Sequence, residues 1–125
     1  MRVESVEDFI SKYPRSEMEE ALYEKLKVKY SNLNDFEVKI LVFIKSCLNN
    51  YELCSENVFE RNDWKEFTQK LLDMLRNFLE NRKEVLNEKD VKQVNKLISK
   101  LSEDYEYNKY YDEHPEEYYD YYEDY

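Results

Sequence analysis

Apolar side chains recur at helical spacing through most of the first hundred residues. The most regular stretch repeats every three or four positions, and its members are Phe36, Ile40, Phe43, Ile44, Cys47, Leu48 and Tyr51. This stripe is widened by three further apolar residues, Val38, Leu41 and Val42. It predicts a central, mostly buried helix from Phe36 to about Leu48. The β-branched residues between Val38 and Ile44 would also suit a strand, but no comparable second strand exists to pair with it, so we favour the helix.

Four helix starts carry capping signals. They are Ser5 with Asp8, Ser16 with Glu19, Asp63 ahead of Trp64, and Asn87 with Asp90. Polar side chains at such positions accept hydrogen bonds from the first free backbone N–H groups of a helix. Pro14 ends the first short helix, since the residue before a proline is disfavoured in the helical conformation. We expect a turn over 31–35, and either irregular structure or a short helix over 52–62.

The other predicted helices have apolar stripes of their own. In the second helix the stripe is Met18, Ala21, Leu22 and Leu26. A long helix runs from Trp64 to about Arg82, and its stripe is Trp64, Phe67, Leu71, Met74 or Leu75, and Phe78. The last helix carries Val91, Val94, Ile98 and Leu101. These two stripes allow the last two helices to pack as an antiparallel hairpin. The sequence therefore predicts an all-α fold of about five helices, with residues 1–102 forming a packed helical body.

Residues 103–125 differ from that body in composition. They hold ten acidic residues, one basic residue and nine of the thirteen tyrosines, which leaves 18 basic and 19 acidic residues in 1–102. The body is thus nearly neutral and the C-terminal segment strongly anionic. Dense like charge without aliphatic anchors favours disorder when the protein is free. We interpret 103–125 as an acidic aromatic interaction tail.

Carboxylates alternating with phenol rings resemble a single strand of nucleic acid, which alternates phosphates with flat bases. Proteins hold such a strand with a basic groove and stacking platforms, so this tail is a candidate mimic of nucleic acid. The candidate interaction residues are Tyr105, Tyr107, Tyr110, Tyr111, Glu116, Glu117, Tyr118, Tyr119, Asp120, Tyr121, Tyr122, Glu123, Asp124 and Tyr125. A nonspecific solubilising tail and a substrate for tyrosine modification remain as alternatives.

A second candidate surface is basic. It consists of Lys89, Lys92, Lys96 and Lys100, which we call the lysine face. At about 100° per residue these side chains fall opposite the apolar stripe of the last helix. The plain interpretation is a solvated face, and the functional one is contact with phosphate or with an acidic partner surface.

The sequence contains few residues that could carry out enzymatic catalysis. The chain has no glycine, which excludes phosphate-binding loops, dinucleotide-binding turns and nucleophile elbows. The single histidine, His114, lies in the tail, and Cys47 and Cys54 lack nearby partners for a zinc site. We therefore expect a protein that is not an enzyme, with no catalytic residues, no cofactor and no metal.

The two cysteines are seven residues apart. On one continuous helix they would lie about 10 Å apart along the axis, too far for a disulfide. We therefore expect two buried free thiols, although a bridge becomes possible if the chain breaks at Asn49-Asn50. The longest apolar run, Ile40 to Ile44, is far too short to cross a membrane, and the N-terminus lacks the apolar run of a signal peptide. These observations predict a cytoplasmic protein without membrane contact.

A small helical body followed by an acidic C-terminal tail resembles the accessory subunits of archaeal B-family DNA polymerases. A composition rich in Lys and Glu, with Gln only at Gln69 and Gln93, is similar to that of thermophilic archaeal or archaeal-virus proteins. In that family the acidic tail modulates how the polymerase handles the strand ahead of it. The resemblance covers body plan and tail, and it implies no functional residue.

Taken together, these patterns predict a non-catalytic accessory or regulatory subunit. Its body would dock on a larger protein, such as a DNA polymerase or another nucleic-acid enzyme, and its tail would tune nucleic-acid access. Such a chain should bind nucleic acid weakly or not at all when alone. Two alternatives are a stand-alone nucleic-acid-binding protein that uses the lysine face with the tail as autoinhibitor, and a viral or structural assembly protein.

Overall fold

A computed structural model of the chain describes residues 4–115. Over this range it contains helices and no strand, which confirms the all-α prediction. The helices are α1 (Val6–Ser11), α2 (Glu17–Lys29), α3 (Asp35–Asn49), α4 (Tyr51–Phe59), α5 (Trp64–Arg82) and α6 (Glu88–Glu113). The additional helix relative to the expected five is α4, which occupies the segment predicted as irregular or a short helix.

Three helix starts are capped by the residues that the sequence indicated. Ser5 Oγ accepts a hydrogen bond from the backbone N–H of Asp8 at 3.1 Å, Ser16 Oγ accepts from Glu19, and Asn87 Oδ1 accepts from Asp90 at 2.8 Å. The prediction at Asp63 is wrong in detail. This side chain makes no cap hydrogen bond, because its carboxylate is held by the guanidinium of the preceding Arg61 at 2.8 Å.

The central position of α3 is confirmed. Val42, Phe43 and Ile44 are fully buried, and the helix packs against α1, α2, α4 and α6. A helix surrounded on so many sides is apolar over most of its circumference. This explains why its run of β-branched residues also resembled a buried strand.

The predicted α5–α6 hairpin is also confirmed, but α6 is longer than expected. Its stripe does not stop at Leu101, because Tyr105 continues it one turn later and is also buried. Residues 103–113 are therefore helical and continuous with the body. The predicted boundary at residue 102 does not coincide with the end of a helix.

Two residues of the α2 stripe were predicted wrongly. Met18 and Ala21 are exposed, and the side of α2 that packs on α3 carries Leu22, Tyr23, Leu26 and Tyr30. The two tyrosines lie on the same side as Leu22 and Leu26, and their hydroxyls contact Asp35 at the start of α3 and Asp90 on α6.

The expectation of two free thiols is wrong, because Cys47 and Cys54 form a disulfide with a Cα–Cα distance of 5.2 Å. The chain turns at Asn50, whose side chain caps α4 by accepting from the N–H of Leu53. This turn brings the last part of α3 next to α4, so the two cysteines lie on different helices. Disulfides are rare in the cytosol of mesophiles and common inside hyperthermophiles. The bridge therefore argues against a cytoplasmic location in a mesophile and is compatible with one in a hyperthermophile.

Candidate functional site

The final turns of α6 are held against the start of α5. Tyr105 stacks edge-on against Trp64, with ring centroids 5.8 Å apart, and its hydroxyl accepts a hydrogen bond from Gln69 Nε2 at 2.7 Å. Lys65 of α5 forms an ion pair and a hydrogen bond with Asp112 near the end of α6. The hydrogen bond raises the pKa of Lys65. Tyr105 was predicted as an interaction residue, but the structure places it in the core, where it anchors the segment that follows.

Beyond this anchor, aromatic rings gather on the surface of α6. Tyr107 is 59% exposed and Tyr110 is 42% exposed. The ring centroids of Tyr107 and Tyr111 lie 4.8 Å apart, those of Tyr110 and Tyr111 lie 5.2 Å apart, and the ring of His114 stacks on Tyr110 at 4.4 Å. Three of the predicted tyrosines are thus brought together, and His114, the single histidine, joins them.

Carboxylates surround these rings. Glu103, Glu106 and Glu113 are exposed, whereas Asp104 is drawn into the structure by a hydrogen bond from the Tyr51 hydroxyl. Burial, reinforced by this contact with Asp104, raises the pKa of Tyr51. We call residues 103–114 the acidic aromatic end of α6. Residues 103–113 of it are helical, where the sequence predicted a disordered tail.

The remaining predicted tail residues lie outside the residues that the structure describes. They are Glu116, Glu117, Tyr118, Tyr119, Asp120, Tyr121, Tyr122, Glu123, Asp124 and Tyr125.

The lysine face lies on the opposite part of α6, near its start. Lys89, Lys92 and Lys96 are exposed, and they line a shallow depression together with Asn87, Glu88 and Gln93. Lys92 pairs with Glu88 at 3.5 Å. Lys89 and Lys96 have no hydrogen-bond or ion-pair partner within residues 4–115. Lys100 is partly buried, with Nζ 5.0 Å from the ring centre of Tyr51. Only the other three lysines of the lysine face are therefore exposed.

One polar cluster was missed by sequence reasoning. Asp90 was interpreted only as a capping partner, yet its side chain is 1% exposed. Nζ of Lys45 lies 2.6 Å from one carboxylate oxygen, and Tyr30 and Lys29 contact the other. A signal was present, since Asp90 continues the buried spacing of Val94, Leu97 and Leu101 toward the start of α6.

This cluster is structural. Burial alone would raise the pKa of Asp90, but hydrogen bonds from Lys45 and Tyr30 outweigh it and hold the pKa below its ordinary value. Burial, together with the carboxylate, raises the pKa of Tyr30 to about 12. A carboxylate held ionised by a lysine and a phenol is a poor general base, and no substrate-sized opening reaches it among the described cavities.

Other kinds of site find no support in residues 4–115. No group of three or more His, Cys, Asp or Glu side chains in this range is arranged to hold a metal ion. None of the helices described is long and apolar enough to cross a membrane. No protein-family model, curated protein or solved structure matches the chain. The acidic aromatic end and the lysine face are therefore judged on their own geometry.

Proposed function

We propose that this protein is a non-catalytic accessory subunit of a larger nucleic-acid enzyme, such as a DNA polymerase. In this proposal the helical body docks on the enzyme, and the acidic aromatic C-terminal segment competes with nucleic acid for the enzyme's groove. The observation that carries the proposal is the acidic aromatic end of α6, where exposed rings and carboxylates share one helical surface.

The negative charge of this surface supports mimicry. Residues 103–113 contain five carboxylates, of which Asp104 and Asp112 contact Tyr51 and Lys65 of the body. Glu103, Glu106 and Glu113 are exposed, and a rise of about 1.5 Å per residue places them about 4.5 and 10 Å apart along the axis. A groove that attracts phosphates would attract this helix end for the same electrostatic reason.

The exposed rings add the second feature of a single strand. Tyr107 and Tyr110 present exposed rings about one helical turn apart, and aromatic platforms in single-strand grooves hold bases by stacking on such rings. The anchor at Tyr105 keeps the rings in place before binding. Less conformational freedom is therefore lost when the surface docks than a disordered tail would lose.

The first test is direct binding. The full chain should bind labelled single- or double-stranded oligonucleotides weakly or not at all at physiological salt, because a nearly neutral body and an anionic segment release few counterions. Tight binding by the full chain would contradict the accessory role.

The decisive test uses a nucleic-acid enzyme captured from the native host and then purified. Its polymerase, helicase or nuclease rate is measured with the wild-type protein and with a variant in which five acids become glutamine: Glu103, Glu106, Glu113, Glu116 and Glu117. The matched control neutralises five exposed acids of the body: Glu52, Glu56, Glu60, Asp73 and Glu84.

The segment variant should still dock but should lose its effect on the rate, and the effect of the wild type should weaken as salt rises. The control should behave as wild type. Equal rates with the wild type and with the segment variant would make the segment a passive solubiliser.

A second function is favoured by one observation, the unpaired state of Lys89 and Lys96 within the described residues. We propose as the alternative that the lysine face binds nucleic-acid phosphates and that the anionic C-terminal segment inhibits this binding. A chain truncated after His114 should then bind oligonucleotides more tightly than the full chain does. Charge reversal at Lys89 and Lys96 should abolish the binding, whereas reversal at Lys70 and Lys83, which are exposed elsewhere, should not.

A further inference from the structure

The body holds one of its own arginines with an aromatic ring and two carboxylates. The guanidinium carbon of Arg61 lies 3.9 Å from the ring centre of Phe67. Its N–H groups donate to both carboxylate oxygens of Asp63, at 2.8 and 3.3 Å, and to a carboxylate oxygen of Glu4 at 3.2 Å. A planar guanidinium suits such a site, because it lies over a ring while its fork of N–H groups reaches carboxylates.

The ring and the first carboxylate of this arginine site are neighbours on one helix. Asp63 and Phe67 are four residues apart, and the N–H of Phe67 donates to the carbonyl oxygen of Asp63 at 2.9 Å. Side chains with this spacing lie one turn apart on the same side of a helix. The site therefore consists of a carboxylate one turn ahead of a ring, and a second carboxylate within reach of the same guanidinium.

The same set of groups recurs at the acidic aromatic end of α6. Glu103 lies one turn ahead of Tyr107, and Glu106 neighbours Glu103 three positions later on the same helix. Tyr107 is 59% exposed, and both glutamates are exposed. Within residues 4–115 neither glutamate makes a hydrogen bond or an ion pair, and no lysine or arginine lies over the ring of Tyr107. This second site thus lacks only the cation.

A further pair with the same spacing, Glu106 and Tyr110, is less suited to a guanidinium. The ring of Tyr110 is stacked on that of His114, with centroids 4.4 Å apart. Tyr107 instead meets its neighbour Tyr111 at an interplanar angle of 54°, so it is not covered by a parallel ring. The geometry of this helix end therefore favours Tyr107 as the ring of the site.

We propose that Tyr107, Glu103 and Glu106 bind an arginine side chain of a partner protein. The guanidinium lies over the phenol ring, as that of Arg61 lies over Phe67, and donates to the two glutamates. Lysine fits less well, since its ammonium is a compact charge without a planar fork. Arginine also binds phosphates through paired hydrogen bonds, so a groove built for nucleic acid is a natural source of it. The inference rests on the proposed function for the identity of the partner, namely the enzyme's groove.

Two peptides of equal length and charge test the preference for arginine. One alternates arginine with alanine, and the other carries lysine in place of each arginine. Each is titrated into the isotopically labelled full chain at physiological salt, and the amide signals of residues 103–107 in the NMR spectrum report binding at this surface. Both peptides should bind, because the segment is anionic. The arginine peptide should bind about two- to fivefold more tightly, because its guanidinium groups also contact the ring.

Substitutions separate the ring from the charge. Tyr107→Leu should remove the preference for arginine, whereas Tyr107→Phe, which keeps a ring, should retain it. Glu103→Gln combined with Glu106→Gln should weaken the binding of the arginine peptide. The matched control, Glu56→Gln combined with Glu60→Gln, changes two exposed acids at the end of α4 and should bind as wild type does. The amide spectrum of each variant also shows whether it is folded.

Three outcomes would overturn the inference. They are equal affinities of the wild type for the two peptides, a preference for arginine that survives Tyr107→Leu, and no measurable binding of either peptide. None of these measurements contains an enzyme, so the rate assay described above decides the proposed function separately. A preference for arginine together with an unchanged enzyme rate would retain the arginine site and overturn the role of the segment in the enzyme.

Discussion

Nζ of Lys45 lies 2.6 Å from Oδ1 of Asp90, and this ion pair joins α3 to the first turn of α6 beneath the surface. The carboxylate is held on its other side by Tyr30, whose hydroxyl also accepts a hydrogen bond from the N–H of Asn87 at 3.0 Å. Helices α2, α3 and α6 thus meet at one ionised group.

The first prediction concerns this group. Asp90→Ala should lower the free energy of unfolding by about 3–5 kcal/mol, because it leaves the partly buried ammonium of Lys45 without its carboxylate. Denaturant unfolding at neutral pH measures the loss. Asp73→Ala removes an exposed carboxylate and should change stability by about 0.5 kcal/mol or less. Similar values for the two variants would mean that Asp90 does not hold the helices together.

A second prediction follows from the lowered pKa of Asp90. A free aspartate has a pKa of about 3.9, and the folded state holds its proton less tightly than that. The contribution of Asp90 to stability is therefore complete above about pH 4 and is lost as the pH falls through the lower folded value. Unfolding measured over a series of acidic pH values should show a smaller decline for Asp90→Asn than for wild type.

The third prediction concerns alkaline pH. The pKa of Tyr30 is about 12 when folded and about 10 when unfolded, so the folded state retains the proton longer. The stabilisation is complete below about pH 10 and is lost between about pH 10 and 12, by roughly 2 kcal/mol. Lysines titrate in the same range, so the measured quantity is the difference between wild type and Tyr30→Phe. Parallel stability curves for the two proteins would contradict this role of Tyr30.

A fourth prediction tests the anchor of α6. Tyr105→Ala should cost about 3 kcal/mol, since a buried ring is removed from Trp64 and Gln69. The emission of Trp64, the single tryptophan, should shift to longer wavelength as water reaches it. Tyr107→Ala removes an exposed ring and should leave both readouts unchanged. Truncation after Ser102 should cause the same loss of stability, and truncation after His114 should not. These two results together would place the end of the folded body beyond residue 102.

The fifth prediction concerns the disulfide. Closing a loop of this length restricts the unfolded chain and stabilises a protein by about 2–3 kcal/mol in the chain-entropy model. Reduction should therefore lower the midpoint of denaturant unfolding of the wild type. A variant with Cys47→Ala and Cys54→Ala should be insensitive to reductant. An equal response of both proteins to reductant would show that the bridge does not contribute.

The sequence by itself determined five of the six helices described in residues 4–115, although not the full length of α6, and it determined the central position of α3. Apolar spacing, helix caps at Ser5, Ser16 and Asn87, and the absence of a second strand are local signals. They act through backbone hydrogen bonding and one-sided burial, which depend on neighbours along the chain. The uneven charge of residues 103–125 is likewise a matter of composition, so the acidic aromatic segment was visible without a structure.

Only the tertiary structure decided which of several apolar or polar residues face inward. Met18 and Tyr23 are both suitable for burial, and the packing of α2 on α3 selects Tyr23. Cys47 and Cys54 meet because the turn at Asn50 folds α4 beside α3, and Tyr105 becomes core because Trp64 lies opposite it in the hairpin. Asp90 remains charged inside the protein because Lys45 and Tyr30 approach it from other helices. Such contacts join residues that are distant in sequence, and periodicity along one helix carries no information about the partner on another.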